Sequence, residues 1–287
     1  MNLNRINLKH ELQQDNIFPT VIVKSLHELT GIPCRKGLTK AIISENEIVN
    51  VVSNSYGHLP NEKYFAEVET QLIEAGVEYD TRSINRGNRS FAADYILNDD
   101  NFIINVKNGI DKMRPMIRFT NSYDGSNKTA GYFGFFREVC SNGLHIAETN
   151  FGFSVKHKGD MATLVMPEIR KIIAQFMDNE YYTLQRKFEV LAETPITDLK
   201  QFVKCTAESF NLFQYAISEK NPAPSLNARI VEETIVREAK NLGTSPNFWH
   251  GYNAFNEILH NKLKKPFENQ RNLDSQIFTA LVESATN

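Results

Sequence analysis

The sequence predicts an α+β protein, with a strand-rich, mainly antiparallel N-terminal part followed by an all-helical C-terminal part that contains one long helix. Three observations predict it. Up to about residue 160, short β-branched and aromatic runs alternate with Gly- and Asn-bearing turn signals, the pattern of strands joined by tight connections. Beyond Asp160 the apolar residues recur at three- and four-residue intervals, the period of a buried helical stripe. The composition, 41% hydrophobic and 23% charged, is that of an ordinary globular chain, and 287 residues suffice for one large core or two smaller ones.

Residues 48–52 form a β-branched run closed by the turn-forming Asn54-Ser55-Tyr56-Gly57. Pro60 then stands where a first helical turn tolerates it, because the missing N–H has no helical partner there. Tyr64, Phe65, Val68, Leu72 and Ile73 follow at helical spacing, and Gly76 is the predicted stop. Residues 77–84 and 89–97 read as paired strands around Asn85-Arg86-Gly87-Asn88. Further strands are predicted at 115–121, 132–139 and 151–157. Asp124-Gly125-Ser126-Asn127 and Ser141-Asn142-Gly143 mark turns between them.

After Asp160, Met161, Leu164, Val165, Ile169, Ile172, Ile173, Phe176, Tyr181, Leu184, Phe188 and Leu191 predict one helix of about 30 residues, roughly 45 Å long at 1.5 Å per residue. Pro195 ends it. Helices are predicted at 196–217, 226–242, 246–264 and 273–285, punctuated by Asn221-Pro222-Ala223-Pro224 and Leu242-Gly243-Thr244-Ser245-Pro246. The change of period predicts two domains, 1–160 and 161–287. A helix longer than a small domain is wide either crosses between domains or packs against a second copy, so a homo-oligomer formed through the C-terminal helices is expected. The alternative is that the other helices cover the stripe.

With 32 basic and 34 acidic residues the formal net charge is -2, so any basic surface is local. That argues against a dedicated nucleic-acid binder, whose affinity draws on phosphate neutralisation and counterion release. Three widely separated cysteines, Cys34, Cys140 and Cys205, do not form a secreted disulfide framework. The first twelve residues lack the apolar run of a signal peptide, and no stretch approaches the roughly 20 apolar residues that span a bilayer. The expectation is a cytoplasmic protein with no membrane partner.

Residues 102–158 are the most unusual stretch, and 102–137 within them is dense in basic and aromatic residues. Lys107, Lys112, Arg114, Arg118, Lys128 and Arg137 face only Asp111 and Asp124, and Phe119, Tyr123, Tyr132, Phe133, Phe135 and Phe136 are interleaved with them. Arginines beside exposed rings make a platform for single-stranded nucleic acid, since rings stack on bases while cations follow phosphates. The competing expectation is that the rings face the core and the arginines merely cover it. Arg114, Arg118, Lys128 and Arg137, with Tyr123 and Tyr132, are the predicted binding residues.

No catalytic residue, metal ligand or cofactor is predicted. Gly131, Gly134 and Gly143 lack the spacing of a phosphate loop and are expected to mark bulges or close backbone contacts. Cys140, His145 and His157 do not have metal-ligand spacing. Asp94, Asp99, Asp100 and Glu78 near strand ends lack the paired-acid-plus-Lys context of a nuclease metal site, and a metal-dependent nuclease is kept only as the reserve alternative. His250 and His260 are expected at the polar edge of a packing helix that carries Phe248, Trp249, Tyr252, Phe255 and Leu259.

Several strings carry a resemblance: Val51-Val52-Ser53-Asn54-Ser55-Tyr56 with Leu59-Pro60-Asn61-Glu62; Arg89-Ser90-Phe91; Thr120-Asn121-Ser122-Tyr123-Asp124-Gly125-Ser126; Phe136-Arg137-Glu138-Val139-Cys140-Ser141-Asn142-Gly143-Leu144; and Phe248-Trp249-His250-Gly251-Tyr252-Asn253-Ala254. Over roughly residues 45–260 the chain resembles a family of phage- and plasmid-borne proteins catalogued as domain of unknown function nine-three-two. The Arg-x-x-Cys-Ser-Asn string is the most specific element. The resemblance implies a mobile-element or bacteriophage origin and carries over no catalytic role. The resulting expectation is a non-catalytic binding protein that inhibits a host protein complex, such as an anti-phage defence system of the Gabija-type nuclease–helicase kind. The alternative is a single-stranded DNA-binding or annealing protein in phage replication or recombination.

Overall fold

The computed structural model of the chain describes residues 18–286 apart from 35–36, 87–88, 99, 101–102, 107–110, 138–142, 145–151, 178–182, 264 and 266. The chain divides into two compact units, neither of them a contiguous stretch. The first comprises Met1–Phe102, Met116–Phe133 and Thr149–Asp178; the second comprises Ile103–Pro115, Gly134–Glu148 and Asn179–Asn287.

The first unit opens with strand β1 (Val21–Ser25), the one-turn helix α1 (Leu26–Thr30), β2 (Lys40–Ser44) and β3 (Glu47–Val52), which form an antiparallel sheet in that strand order. Val21, Val23, Ile42, Val49 and Val52 gather on one face, against Tyr56 and Tyr123. Helix α2 (Asn61–Glu74) follows, with Pro60 at its N-cap and Gly76 at φ 68 just beyond its end. A left-handed residue there lets the last turn close without a Cβ clash.

Next come β4 (Tyr79–Arg86) and β5 (Ser90–Leu97), an antiparallel pair in unbroken register from Tyr79↔Leu97 to Arg86↔Ser90. Strand β7 (Asp111–Ser122) contributes its residues from Met116 onward to this unit. Strand β8 (Thr129–Arg137) contributes those up to Phe133, and β10 (Gly152–Val155) completes the order β10-β8-β7-β5-β4. Every residue of β5 is buried, so both faces of that strand are covered. On one face lie α2 and α3 (Met161–Met177): the Tyr64 ring meets Phe119 edge-on, Phe65 meets Phe91, and Phe176 stacks on Phe133. Gly131 is the close contact expected of it, since a Cβ would lie 2.5 Å from the Phe153 ring and 2.8 Å from that of Phe119.

The second unit holds β6 (Ile104–Val106), paired with Asp111–Met113 of β7, and β9 (Gly143–Leu144), paired with Phe135 and Phe136 of β8. Its helices are α4 (Thr183–Glu193), α5 (Leu199–Ser209), α6 (Leu226–Asn241), α7 (Phe248–Asn261) and α8 (Phe267–Thr286), with the hairpin β11 (Ala216–Ser218) and β12 (Asn221–Pro224) before α6. Helix α4 packs against β6, α7 and α8. Phe188 is its anchor, touching the rings of Phe135, Trp249 and Phe278.

The class is α+β, with antiparallel sheets in the N-terminal part and helices in the C-terminal part. Strands β1, β2 and β6 and helix α1 have no counterpart in the sequence reading, and three predicted helices differ from it. The stripe predicted as one helix is described as α3 in the first unit and α4 in the second; residues 178–182 between them lie outside the described residues. Its described apolar positions from Met161 to Leu191 are buried, Leu164 excepted at 49% exposure; Phe176 and Phe188 pack on rings of their own unit. The helix predicted at 196–217 stops at Ser209, because Asn211 takes the left-handed conformation (φ 49) that Asn tolerates, and the Pro-rich punctuation is a hairpin strand. Helix α8 begins at Phe267, a turn and a half earlier than its periodicity indicated.

Candidate functional site

The basic–aromatic segment does not form an exposed platform from the residues predicted. Asp94 and Arg118 are directly opposed across β5 and β7, and they close a bidentate ion pair (Nε to Oδ1 2.5 Å, Nη2 to Oδ2 2.7 Å) with both side chains buried. Tyr123 is buried in the core of the small sheet, where its hydroxyl accepts the Asn61 backbone N–H at 2.7 Å. Burial pushes its ionisation up to about 12, against the pull of that hydrogen bond. Tyr132 is 3% exposed. Arg114 and Lys128 are half-buried. Arg118, Arg137, Tyr123 and Tyr132, buried in this way, are not offered to a phosphate or a base. Composition showed their types but not which face of a two-sided sheet is covered.

Arg137 sits in the second unit, fully buried. Its Nε donates to Asp111 Oδ2 at 2.6 Å and its Nη1 to Glu238 Oε2 at 2.8 Å. Trp249 donates its indole N–H to the same Asp111 oxygen at 2.8 Å, and the guanidinium lies 5.8 Å from the Trp249 ring centroid. Burial raises the Glu238 carboxyl above its ordinary range, outweighing Arg137, which pulls it down. A cation between two buried carboxylates and over a ring is a closed network that locks β7, β8, α6 and α7 together. His250 and His260 are structural too. His250 completes the Asn247 capping box of α7, and His260 Nε2 lies 3.3 Å from Asp274 Oδ2. Cys140, His145 and Asp99 lie outside the described residues.

Within the first unit, two of the strings that carried the resemblance meet, residues 59–62 and 120–126. Asn121 donates to the Leu59 carbonyl (2.9 Å) and to Asn61 Oδ1 (2.8 Å), while Asn50 donates to the Tyr123 carbonyl (3.2 Å). Beside this clamp sits a group that sequence reading missed. The Tyr56 ring stacks on His157 (5.2 Å, 13° between planes), and His58 packs on Tyr123 (5.4 Å). Burial lowers the pKa of both histidines, and for His58 the nearby His157 lowers it further. Tyr56 and His58 line a pocket of about 650 Å³ whose other walls include Lys24, Ser25, Glu28, Cys34 and Lys40. The signal available in sequence was Tyr56-Gly57-His58 after a strand, which reads as an ordinary turn until β1 and β2 are placed beside it.

A second surface lies on the far face of the small sheet. Ile22, Ile43 and Ile48 are cross-strand partners in one row, 42% exposed at Ile22 and 57% at Ile48. Ile22 and Ile43 line a hollow of about 410 Å³ with Phe18, Pro19 and Glu45. Nearby in sequence, Leu29, Ile32 and Leu38 are also exposed. Among the described residues no three His, Cys, Asp or Glu side chains come together as metal ligands, and no helix is long and apolar enough to cross a membrane.

Compared with known proteins, residues 48–277 match the model of DUF932, described as a domain of unknown function. No curated protein and no solved structure matches the chain.

Proposed function

The chain belongs to the DUF932 family, and from that premise we propose that it is a non-catalytic binding protein of a phage or plasmid that docks on a host protein complex and blocks it. A defence complex of the Gabija-type nuclease–helicase kind is the partner class. The observation that supports the reading is the apolar row Ile22-Ile43-Ile48, held on a rigid three-stranded sheet and bordered by a hollow. A cross-strand apolar row facing solvent costs stability and is retained where it meets another surface. The ion pairs of Asp94 with Arg118 and of Asp111 and Glu238 with Arg137, by contrast, are taken up in holding each unit in shape. Blocking a partner needs only a complementary surface, and the anchors of such surfaces are buried apolar side chains.

The test is expression of the chain in bacteria that carry a defence complex, followed by phage challenge and co-purification with that complex. Wild type restores plaques and co-elutes with the complex. The double substitution Ile22→Asp with Ile48→Asp, folded by circular dichroism, does neither. A protein that recovers no host complex and leaves defence intact ends the reading. A steeply salt-dependent affinity for single-stranded DNA would move the assignment to replication or recombination instead.

A further inference from the structure

We propose that strand β1 pairs with β1 of a second copy of this chain, antiparallel about a two-fold axis at Ile22, and so joins two small sheets edge to edge. An edge strand presents a row of backbone N–H and C=O groups to whatever comes beside it. The two edges of the small sheet are not equivalent. Strand β3 carries the extra residue Val49 against β2, a bulge that bends its edge away from regular pairing. Strand β1 instead runs in unbroken register from Val21↔Ser44 to Ser25↔Lys40, and among the described residues no strand stands on its other side. Its cover is also incomplete. On the core face the neighbouring Ile42 is fully buried, whereas Val21 and Val23 are only half-buried.

The side chains select the register. In a two-fold pairing the residue on the axis meets itself. With Ile22 there, Val21 stands opposite Val23 of the second copy, a β-branched pair that completes the cover of the core face. The outer row Ile48-Ile43-Ile22 then continues into the same three residues of the second copy. With Val23 on the axis, Ile22 would face Lys24 instead. Charge points to the same arrangement. Glu45 and Glu47 lie at the β2–β3 turn, while Lys24 and Lys40 lie at the opposite ends of their strands. An antiparallel copy therefore brings the lysine end of one sheet to the glutamate end of the other. Lys24 of the second copy stands opposite Thr20, which lines the hollow beside Ile22 together with Glu45. Two strand spacings, roughly 10 Å, separate the Lys24 and Glu45 backbones, a gap that the two side chains close between them. Edge-to-edge pairing leaves the face of the isoleucine row open, so the dimer presents a row of twice the length.

The experiment is light scattering on the purified full chain from micromolar to submillimolar concentration, with each variant shown to be folded by circular dichroism. The expected mass is twice that of the chain. Lys24→Glu and Glu45→Lys should each weaken the dimer at least about tenfold, and the two together should restore it, because the exchanged charges meet again. Ile22→Cys should cross-link to itself on oxidation, since directly opposed residues lie within disulfide reach. Lys24→Cys, opposite Thr20, should not exceed the background that Cys34, Cys140 and Cys205 give in the wild type. The proposal is overturned if the chain is monomeric throughout that range. It is equally overturned by a dimer that neither charge reversal weakens and that Ile22→Cys does not cross-link. No host protein enters the measurement, so its outcome is separate from that of the host-docking test.

Discussion

Arg137 shows at the scale of one residue how chemistry is consumed by structure. The guanidinium bridges Asp111 and Glu238 with no exposure of its own, so its removal strands two carboxylates in a low-dielectric interior. Arg137→Met should therefore cost about 3–5 kcal/mol in urea unfolding, several times the effect of an exposed charge. A loss below about 1 kcal/mol, typical of a solvated pair, would show that the arginine faces water. The two histidines make a second prediction, about acid. His58 and His157 have folded pKa values below the ordinary 6.5, because burial disfavours the imidazolium. The unfolded chain therefore takes up protons near that value that the folded chain does not. Stability is full above it and falls as the pH drops through it. The urea midpoint should decline between about pH 7.5 and about pH 5.5, and His58→Gln with His157→Gln should flatten that slope. An unchanged slope means that the cluster is already protonated or exposed.

Helix α7 carries the prediction at the scale of an element. Asn247 caps it by accepting the His250 N–H at 3.0 Å, while its own Nδ2 donates to the Ala192 carbonyl at 3.0 Å, which ties the start of α7 to the end of α4. Asn247→Ala removes both bonds at a buried site and should cost about 1–2 kcal/mol by chemical denaturation; Asn247→Asp keeps the cap and loses only the tie. Equal losses from the two substitutions would mean that the cap carries nothing. Helices such as α2 and α6 were legible from their spacing, because one buried stripe on a curved surface leaves a 3.6-residue signature. Strand β1 was not read although Val21-Ile22-Val23 is β-branched, since a short edge strand is defined mainly by the strand it pairs with.

For the whole molecule, the predicted stripe bears on assembly. Its described residues are buried within the single chain apart from Leu164. Leu164→Asp, at the one exposed position among the described residues of the stripe, should leave the mass measured by light scattering unchanged, and a fall to half would reveal a dimer closed through α3. By itself the sequence determined the α+β class, the β4–β5 hairpin, the paired histidine-bearing helix and the absence of a phosphate-loop spacing, because period and turn chemistry are local properties of the chain. Only the tertiary structure decided the candidate sites. Arg118 and Arg137 were legible as a basic cluster, yet their partners Asp94 and Glu238 stand 24 and 101 residues away, and register and helix packing choose them. The same is true of the Tyr56–His58 pocket, whose lysines arrive on strands from another part of the sequence. Burial is a relation between distant segments, and no local pattern states whether a charged side chain will end facing water or facing its counterion.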